Sequence, residues 1–265
     1  MLANFHTHST FCDGKNTPEE IILAAIEQGF TSLGFSGHGT TEFDLRYCMQ
    51  DMPGYIRCIR QLQEKFADRI TVLLGIEEDC FAPVNRADYD YVIGSAHYVK
   101  VGQTYYAVDS GLEYQQKALS ACGDPLTLAE IYYRDFCAYI SKRKPDIIGH
   151  FDLITKYEES GESLFFCQEA YWQIAEKYIK MAMESQSLFE INTGAMARQL
   201  RTAPYPHERL LHILQKGGAK VILSSDSHSA EMLTYGFEEA KALLRQVGFT
   251  HTYSLQNQGV CRIEL

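Results

Sequence analysis

The chain has 265 residues, of which 46% are hydrophobic and 22% charged, and its formal net charge is −10. This composition is typical of a folded globular protein and argues against long disordered tracts. Because the charge is negative and no basic stripe is present, we expect no nucleic-acid partner, whereas bound metal ions could still attract a small anionic substrate. No run approaches the roughly 20 apolar residues of a membrane span and no secretory signal pattern is seen, so we expect a cytoplasmic protein.

Seven short apolar runs predict buried β-strands, because they are aliphatic and often β-branched. They cover residues 2–5, 32–36, 71–76, 91–95, 146–149, 187–191 and 220–224. Helical patterns lie between most of them, at residues 53–66, 127–142, 168–184, 207–216 and 230–246. An earlier helix begins after Thr17-Pro18-Glu19-Glu20, where a capping residue is followed by proline and two acids, and it stops at Gly29.

The alternation of strands and helices predicts one α/β domain over residues 1–265 with a parallel sheet, either open and doubly wound or closed as a barrel. Residues 100–126 fit neither pattern, and we expect a loop or lid there.

Residues that bind metals follow the predicted strands, at the points where the strands end. They include six of the nine histidines, and the full set is His6, His8, Asp13, His38, Glu77, His97, His150, Asp226 and His228. The carboxyl ends of parallel strands share one face, and that face carries the active site in barrels and open sheets. One histidine at a strand end is more often structural than a ligand, but six on one face favour a metal site.

The ligand types narrow the kind of site. Imidazole and carboxylate groups without thiolate are typical of open, catalytic sites for zinc, manganese or iron. One ion takes about four to six ligands, so nine candidates predict more than one ion and favour a multinuclear hydrolase.

The order of these motifs resembles the polymerase and histidinol phosphatase (PHP) superfamily. The motifs are H-x-H with a following D-G, then S-G-H, G-I-E, G-S-x-H, G-H-x-D and S-D-x-H, and they run from His6 to His228. DYVIGSAHYV, KPDIIGHFDLITKY, EINTGAMAR and PYPHERLL are similar to the stand-alone histidinol-phosphate phosphatase branch. The resemblance implies a distorted (β/α)7 barrel of parallel strands, with the metal site at their C-terminal ends.

The resemblance also implies three divalent metal ions per chain, which could be manganese, iron or zinc. The first is expected on four residues: His6, His8, Glu77 and Asp226. The second would share Glu77 and use two histidines: His97 and His150. The third is expected on Asp13, His38 and His228. Among these ligands, we expect three to act in catalysis as well: Glu77, Asp226 and His228.

The implied reaction is hydrolysis of a phosphate monoester, with L-histidinol phosphate of histidine biosynthesis as the favoured substrate. Metal ions would lower the pKa of a bridging water, and the hydroxide would attack phosphorus. Arg198 is the first candidate to bind the substrate phosphate, Lys156 the second and Arg201 a reserve. The branch often carries arginine near residue 156, and lysine cannot make a flat bidentate contact with phosphate. Asn192 and Glu42 are candidates to line the pocket.

Three other interpretations remain open. The substrate could be another small phosphate ester or a nucleotide. The chain could be an amidohydrolase-type enzyme, which also begins with His-x-His but normally uses fewer ligands. A protein that binds or senses metal without catalysis would show no turnover and would not need Arg198.

Overall fold

Parallel strands form the centre of the fold in the computed structural model, which describes residues 1–161, 163–256 and 259–265. The strands of this described part, in chain order, are β1 (Ala3–Asn4), β2 (Ser32–Phe35), β3 (Thr71–Asp79), β4 (Tyr91–Ser95), β5 (Tyr98–Val101), β6 (Thr104–Ala107), β7 (Ile147–Ile148), β8 (Leu188–Asn192), β9 (Val221–Ser224), β10 (His251–Gln256) and β11 (Gly259–Glu264). All seven strands predicted from the sequence are confirmed, as β1 to β4 and β7 to β9.

The seven predicted strands close into a barrel. The sheet has the order β1-β2-β3-β4-β7-β8-β9-β10-β11, and of its described strand pairs only β10–β11 is antiparallel. The chain just after β1 returns to the end of β9, where the amide of His8 donates to the carbonyl of Ser227 at 2.8 Å. The amide of Ser227 donates in turn to the carbonyl of His6 at 3.0 Å. Since β10 also pairs with β9, through Tyr253 and Ile222, the closure is irregular. The predicted distorted (β/α)7 barrel is confirmed.

Helices cover the outside of the barrel. They are α1 (Pro18–Glu27), α2 (Met52–Lys65), α3 (Leu112–Cys122), α4 (Pro125–Arg143), α5 (Glu169–Met183), α6 (Gly194–Ala197), α7 (Glu208–Lys216) and α8 (Phe237–Val247). Thr17 caps α1 and Pro18 is its first residue, as the sequence predicted, and the structure adds a bond from the Thr17 amide to the Glu20 side chain. The predicted helix over 230–246 is wrong in its first part, because Gly236, at a φ of 72°, separates a short turn from α8. None of the described helices is long and apolar enough to cross a membrane.

The expectation of a loop or lid at residues 100–126 is wrong. The stretch contains the end of the β5–β6 hairpin and all of α3. The hairpin is held to the loop after β2 by aromatic packing, in which the rings of Phe43 and Tyr105 stack at 3.9 Å. Its strands have only four residues each, which is too short for a clear alternation of polar and apolar residues.

Side chains from the parallel strands fill the barrel below its C-terminal end. Successive residues of β3 point to opposite sides, so Leu73 packs inside the barrel while Leu74 and Ile76 pack against the helices. The Tyr91 ring occupies the interior, and its hydroxyl donates to the carbonyl of Phe5 at 2.6 Å. This packing makes the lower barrel a solid core on which the upper strand ends rest.

Gly75 of β3 should be intolerant of a side chain, because a Cβ atom there would overlap the Tyr91 ring. We expect Gly75→Ala to lower the free energy of unfolding by about 1–3 kcal/mol in urea denaturation, the usual cost of overpacking. Gly161→Ala is the matched control, since a Cβ there meets no atom within 4 Å. Equal stability of the two variants would contradict the interpretation of Tyr91 as the filler of the barrel.

Candidate metal centre

The C-terminal ends of the strands bring all nine predicted ligands into one cluster. Their ligand atoms form four overlapping groups, and within each group all atoms lie within 4.8 Å of one another. The nine residues come from positions 6 to 228 of the chain, and closure of the barrel is what brings the first of them to the last.

Glu77 lies at the centre of the cluster and is 1% exposed. One carboxylate oxygen, Oε1, lies 3.0 Å from Nε2 of His150 and 3.2 Å from Nε2 of His97. The other oxygen, Oε2, lies 3.3 Å from Nε2 of His6 and 2.8 Å from Nδ1 of His38. A carboxylate whose two oxygens face different histidine pairs has the geometry to bridge two metal ions.

Two aspartates face the remaining histidines. Asp226 Oδ1 lies 3.1 Å from Nε2 of His8, and Asp13 Oδ2 lies 3.3 Å from Nε2 of His228. Asp226 occupies the left-handed region at a φ of 48°, which aspartate tolerates better than most residues. His8 is shared between the two parts of the cluster, since its Nδ1 also lies 3.5 Å from Asp13 Oδ1.

In the ligand group formed by His6, His8 and Glu77, three buried polar atoms lack hydrogen-bond partners among the described residues. They are Nε2 of His6, Nε2 of His8 and Oε2 of Glu77. Buried polar atoms are rarely left unpaired, because the loss of water contacts costs about 1–3 kcal/mol for each group. These atoms face one another, and all are nitrogen or oxygen donors suited to a divalent cation. The donor set therefore fits divalent metal ions.

The charges of the cluster also fit cations. Burial lowers the pKa of His6, but the carboxylates of Glu190, Glu77 and Asp226 outweigh burial and raise that pKa to about 10. The carboxylates around His6 thus favour positive charge at this position, as a metal site requires. A metal ligand must be the neutral imidazole, so metal binding at His6 should depend on pH.

Two carboxylates outside the nine predicted ligands orient the histidine rings. His6 Nδ1 donates to Glu190 Oε1 at 2.6 Å, and His97 Nδ1 donates to Asp79 Oδ2 at 3.2 Å. Such bonds fix the tautomer of each ring and leave the lone pair of each Nε2 free to bind a metal ion. Glu190 and Asp79 were not among the site residues predicted from the sequence. A signal was present, because both are acids within strands that are otherwise mostly apolar, and buried acids need a partner.

Asn192 and Glu42 do not line the cavity above the cluster, so that expectation is wrong. Asn192 is fully buried and donates to Glu190 Oε2 at 2.9 Å, so it supports the carboxylate that orients His6.

A cavity of about 320 Å³ opens above the cluster. Arg198 lines it, with Nη2 at 2.9 Å from His228 Nδ1 and Nη1 at 3.6 Å from Asp226 Oδ2. Lys156 lines it as well, and its Nζ donates to the carbonyl of Asp109 at 2.9 Å.

Arg201, the reserve candidate for phosphate, does not line the cavity. It is 4% exposed, and its Nη1 donates to Thr155 Oγ1 at 2.7 Å. The expectation that Arg201 contacts the substrate phosphate is therefore wrong.

A larger cavity of about 910 Å³ lies at the opposite end of the barrel, but none of the nine candidate ligands lines it.

Comparison with known proteins agrees with the geometry. The profile of the PHP domain matches residues 4–194. The chain belongs to the PHP domain family. A protein of Schizosaccharomyces pombe named probable histidinol-phosphatase is 30% identical, over 94% of this chain and 88% of its own length. The family and branch indicated by the sequence motifs are thus confirmed.

Solved structures show the same fold. A Listeria monocytogenes protein named as a candidate histidinol phosphatase has a TM-score of 0.79 at 19% identity, over 90% of this chain and 99% of its own. A histidinol phosphate phosphatase of Lactococcus lactis, solved with zinc, L-histidinol and phosphate, has a TM-score of 0.68 at 21% identity, over 98% of each chain.

The orienting carboxylates should matter for metal affinity although they are not ligands themselves. We expect Glu190→Gln and Asp79→Asn each to weaken metal binding about 10- to 100-fold, measured by competition with a chelator. Glu78→Gln is the control from the same strand as Asp79, because Glu78 points out of the barrel and bonds to Arg143 at 2.8 Å. Metal affinity unchanged in both test variants would contradict an orienting role.

Proposed function

We propose that this protein is a metal-dependent phosphomonoesterase that converts L-histidinol phosphate and water into L-histidinol and phosphate, in histidine biosynthesis. One observation carries the proposal. The two oxygens of the buried Glu77 carboxylate face two different histidine pairs, and the cavity above them is lined by Arg198. At about 320 Å³ the cavity is at the small end of the usual range for ligand sites, as a small ester requires.

We assign three divalent ions to the cluster, each manganese, iron or zinc. The first set is His6, His8, Glu77 and Asp226. The second set is Glu77, His97 and His150, and the third set is Asp13, His38 and His228. Support for the second comes from the two Nε2 atoms at 3.0 and 3.2 Å from one oxygen of Glu77. Support for the third comes from the short distances among its ligand atoms, which also include His8.

When bound, the ions would neutralise phosphate charge and supply a water of lowered pKa as the nucleophile. Arg198 can donate to phosphate oxygens from the cavity wall and hold phosphorus above the cluster. Asp226 Oδ2 faces Arg198 rather than the histidines, and we assign to Asp226 the positioning of this guanidinium beside the cluster. The proton that the attacking water loses would be balanced by the proton that the departing alkoxide takes up. Glu77 and His228 complete the proposed catalytic group, as ligands that would hold the ions in position.

Lys156 keeps its proposed role as a second phosphate donor, because its ammonium group lines the same cavity. We also propose that residues 1–265 form one PHP-type catalytic domain and that the enzyme acts in the cytoplasm.

A substrate panel tests the proposal directly. The purified protein is loaded with manganese, zinc or iron, metals per chain are counted, and phosphate release is measured with L-histidinol phosphate, nucleoside monophosphates and glycerol phosphate. We expect about three metals and the highest kcat/KM with L-histidinol phosphate. A count near one metal, or no release from any ester, would overturn the proposal. Preference for a nucleotide would keep the metal centre and replace the substrate.

Arg198→Ala should lower kcat/KM about 10²- to 10³-fold while metal content stays constant, because the guanidinium stabilises charge on the phosphate rather than the ions. Arg262→Ala is the control, since Arg262 lies on β11 and pairs with Glu264 at 2.8 Å. Loss of metal from Arg198→Ala, measured by elemental analysis, would show that the arginine holds the cluster together instead.

A further inference from the structure

One carboxylate in the cavity has no place in the metal cluster. Of the described residues that line the cavity, the acids are Asp13, Asp109 and Asp226. Asp13 and Asp226 face the histidines of the cluster. Asp109 lies after β6, within the stretch that was expected from the sequence to be a loop or lid.

The β5–β6 hairpin puts Asp109 beside the site. The chain leaves His97, forms the hairpin and returns, and the amide of Val108 donates to the carbonyl of His97 at 2.9 Å. The next carbonyl, that of Asp109, accepts from Lys156 Nζ at 2.9 Å and from the Tyr157 hydroxyl at 2.5 Å. The backbone of Asp109 is therefore held on two sides, next to a predicted ligand of the second ion.

The side chain of Asp109 retains acceptor capacity. Its Oδ2 accepts from Lys156 Nζ at 3.2 Å, whereas its Oδ1 has no hydrogen-bond partner among the described residues. The side chain is 19% exposed, and that exposure is toward the cavity. An ionised carboxylate can accept several hydrogen bonds, so Oδ1 can take a cationic donor from a ligand.

The substrate under the proposed function carries such a donor. L-Histidinol phosphate has an ammonium group on the carbon next to the one that bears the phosphate ester. With phosphate held by Arg198 and the cluster, the ammonium group must lie within the same small cavity. Asp13 and Asp226 would be occupied by metal ions, which repel a cation, whereas Asp109 would not.

We propose that Asp109 binds the ammonium group of the substrate through Oδ1 and thereby selects amine-bearing phosphate esters. This inference rests on the proposed function and adds a specificity-determining residue to it. Nucleotides lack the ammonium group, so they leave Asp109 Oδ1 without a hydrogen-bond donor and place a second anion in the same cavity. A site built around a buried polar group discriminates strongly against analogues that cannot pair with it.

Binding of the two products separates the ammonium group from the phosphate. Calorimetry on the metal-loaded enzyme measures L-histidinol, which carries the amine, and inorganic phosphate. Asp109→Asn keeps the size of the side chain but loses the charge, so we expect about tenfold or greater loss of affinity for L-histidinol. Phosphate affinity should change much less. An unchanged affinity for L-histidinol would overturn the proposal.

Kinetics give the second readout. Two esters are compared: L-histidinol phosphate and its deamino analogue, imidazolyl-propyl phosphate. Asp109→Asn should lower kcat/KM for the amine-bearing ester about tenfold or more and affect the deamino ester far less. Lys156→Gln is the comparison variant, since loss of a phosphate donor should lower both esters alike. An equal fall for both esters in Asp109→Asn would show that Asp109 merely positions Lys156, and would overturn the proposal.

The same assays distinguish the two levels of inference. If the unaltered protein releases phosphate from neither ester, the proposed function itself fails. If it hydrolyses L-histidinol phosphate and Asp109→Asn is equally active and binds L-histidinol equally well, only the role of Asp109 fails.

Discussion

The buried Glu77 carboxylate is the interaction on which the rest of the site depends. A carboxylate removed from water requires compensating positive charge, and here one oxygen of Glu77 lies 2.8 Å from His38 Nδ1 while the other lies 3.0 Å from His150 Nε2. That requirement explains why ligands from separate strand ends converge on one point. The same buried charge fits the unpaired nitrogen and oxygen atoms around it, since this donor set is suited to divalent cations.

The two ends of the barrel have different roles: the lower end is a packed core, and the upper end carries the candidate ligands. The lower interior is filled by Tyr91 and aliphatic side chains, whereas the upper interior holds imidazoles and carboxylates. Alternation along β3 makes this division possible, because Leu73, Gly75, Glu77 and Asp79 share the inner side of one strand. Asp79 and Glu190 form a second layer of charge around the candidate ligands, because they bond to histidines of the cluster. The packed core beneath limits the movement of both layers.

The strand ends and the connecting segments have different tasks. The strand ends supply the candidate metal ligands, while segments after the strands supply Arg198 and Lys156 at the cavity. The β5–β6 hairpin follows the strand that ends before His97 and returns the chain to the same cavity at Asp109. Loops at the C-terminal face of a barrel can thus set substrate choice while the cluster determines the type of reaction.

Local sequence patterns determined the seven strands, the capped start of α1 and the nine candidate ligands, because strand runs, caps and strand-end side chains depend on near neighbours. They did not reveal the β5–β6 hairpin, whose strands are too short for periodicity, or the break before α8. Only the tertiary structure decided that Glu190 orients His6, that His8 lies between two ligand sets, that Arg201 faces the protein interior and that Asp109 faces the cavity. These are contacts between distant residues, 184 positions apart for His6 and Glu190, and they exist only once the barrel has closed.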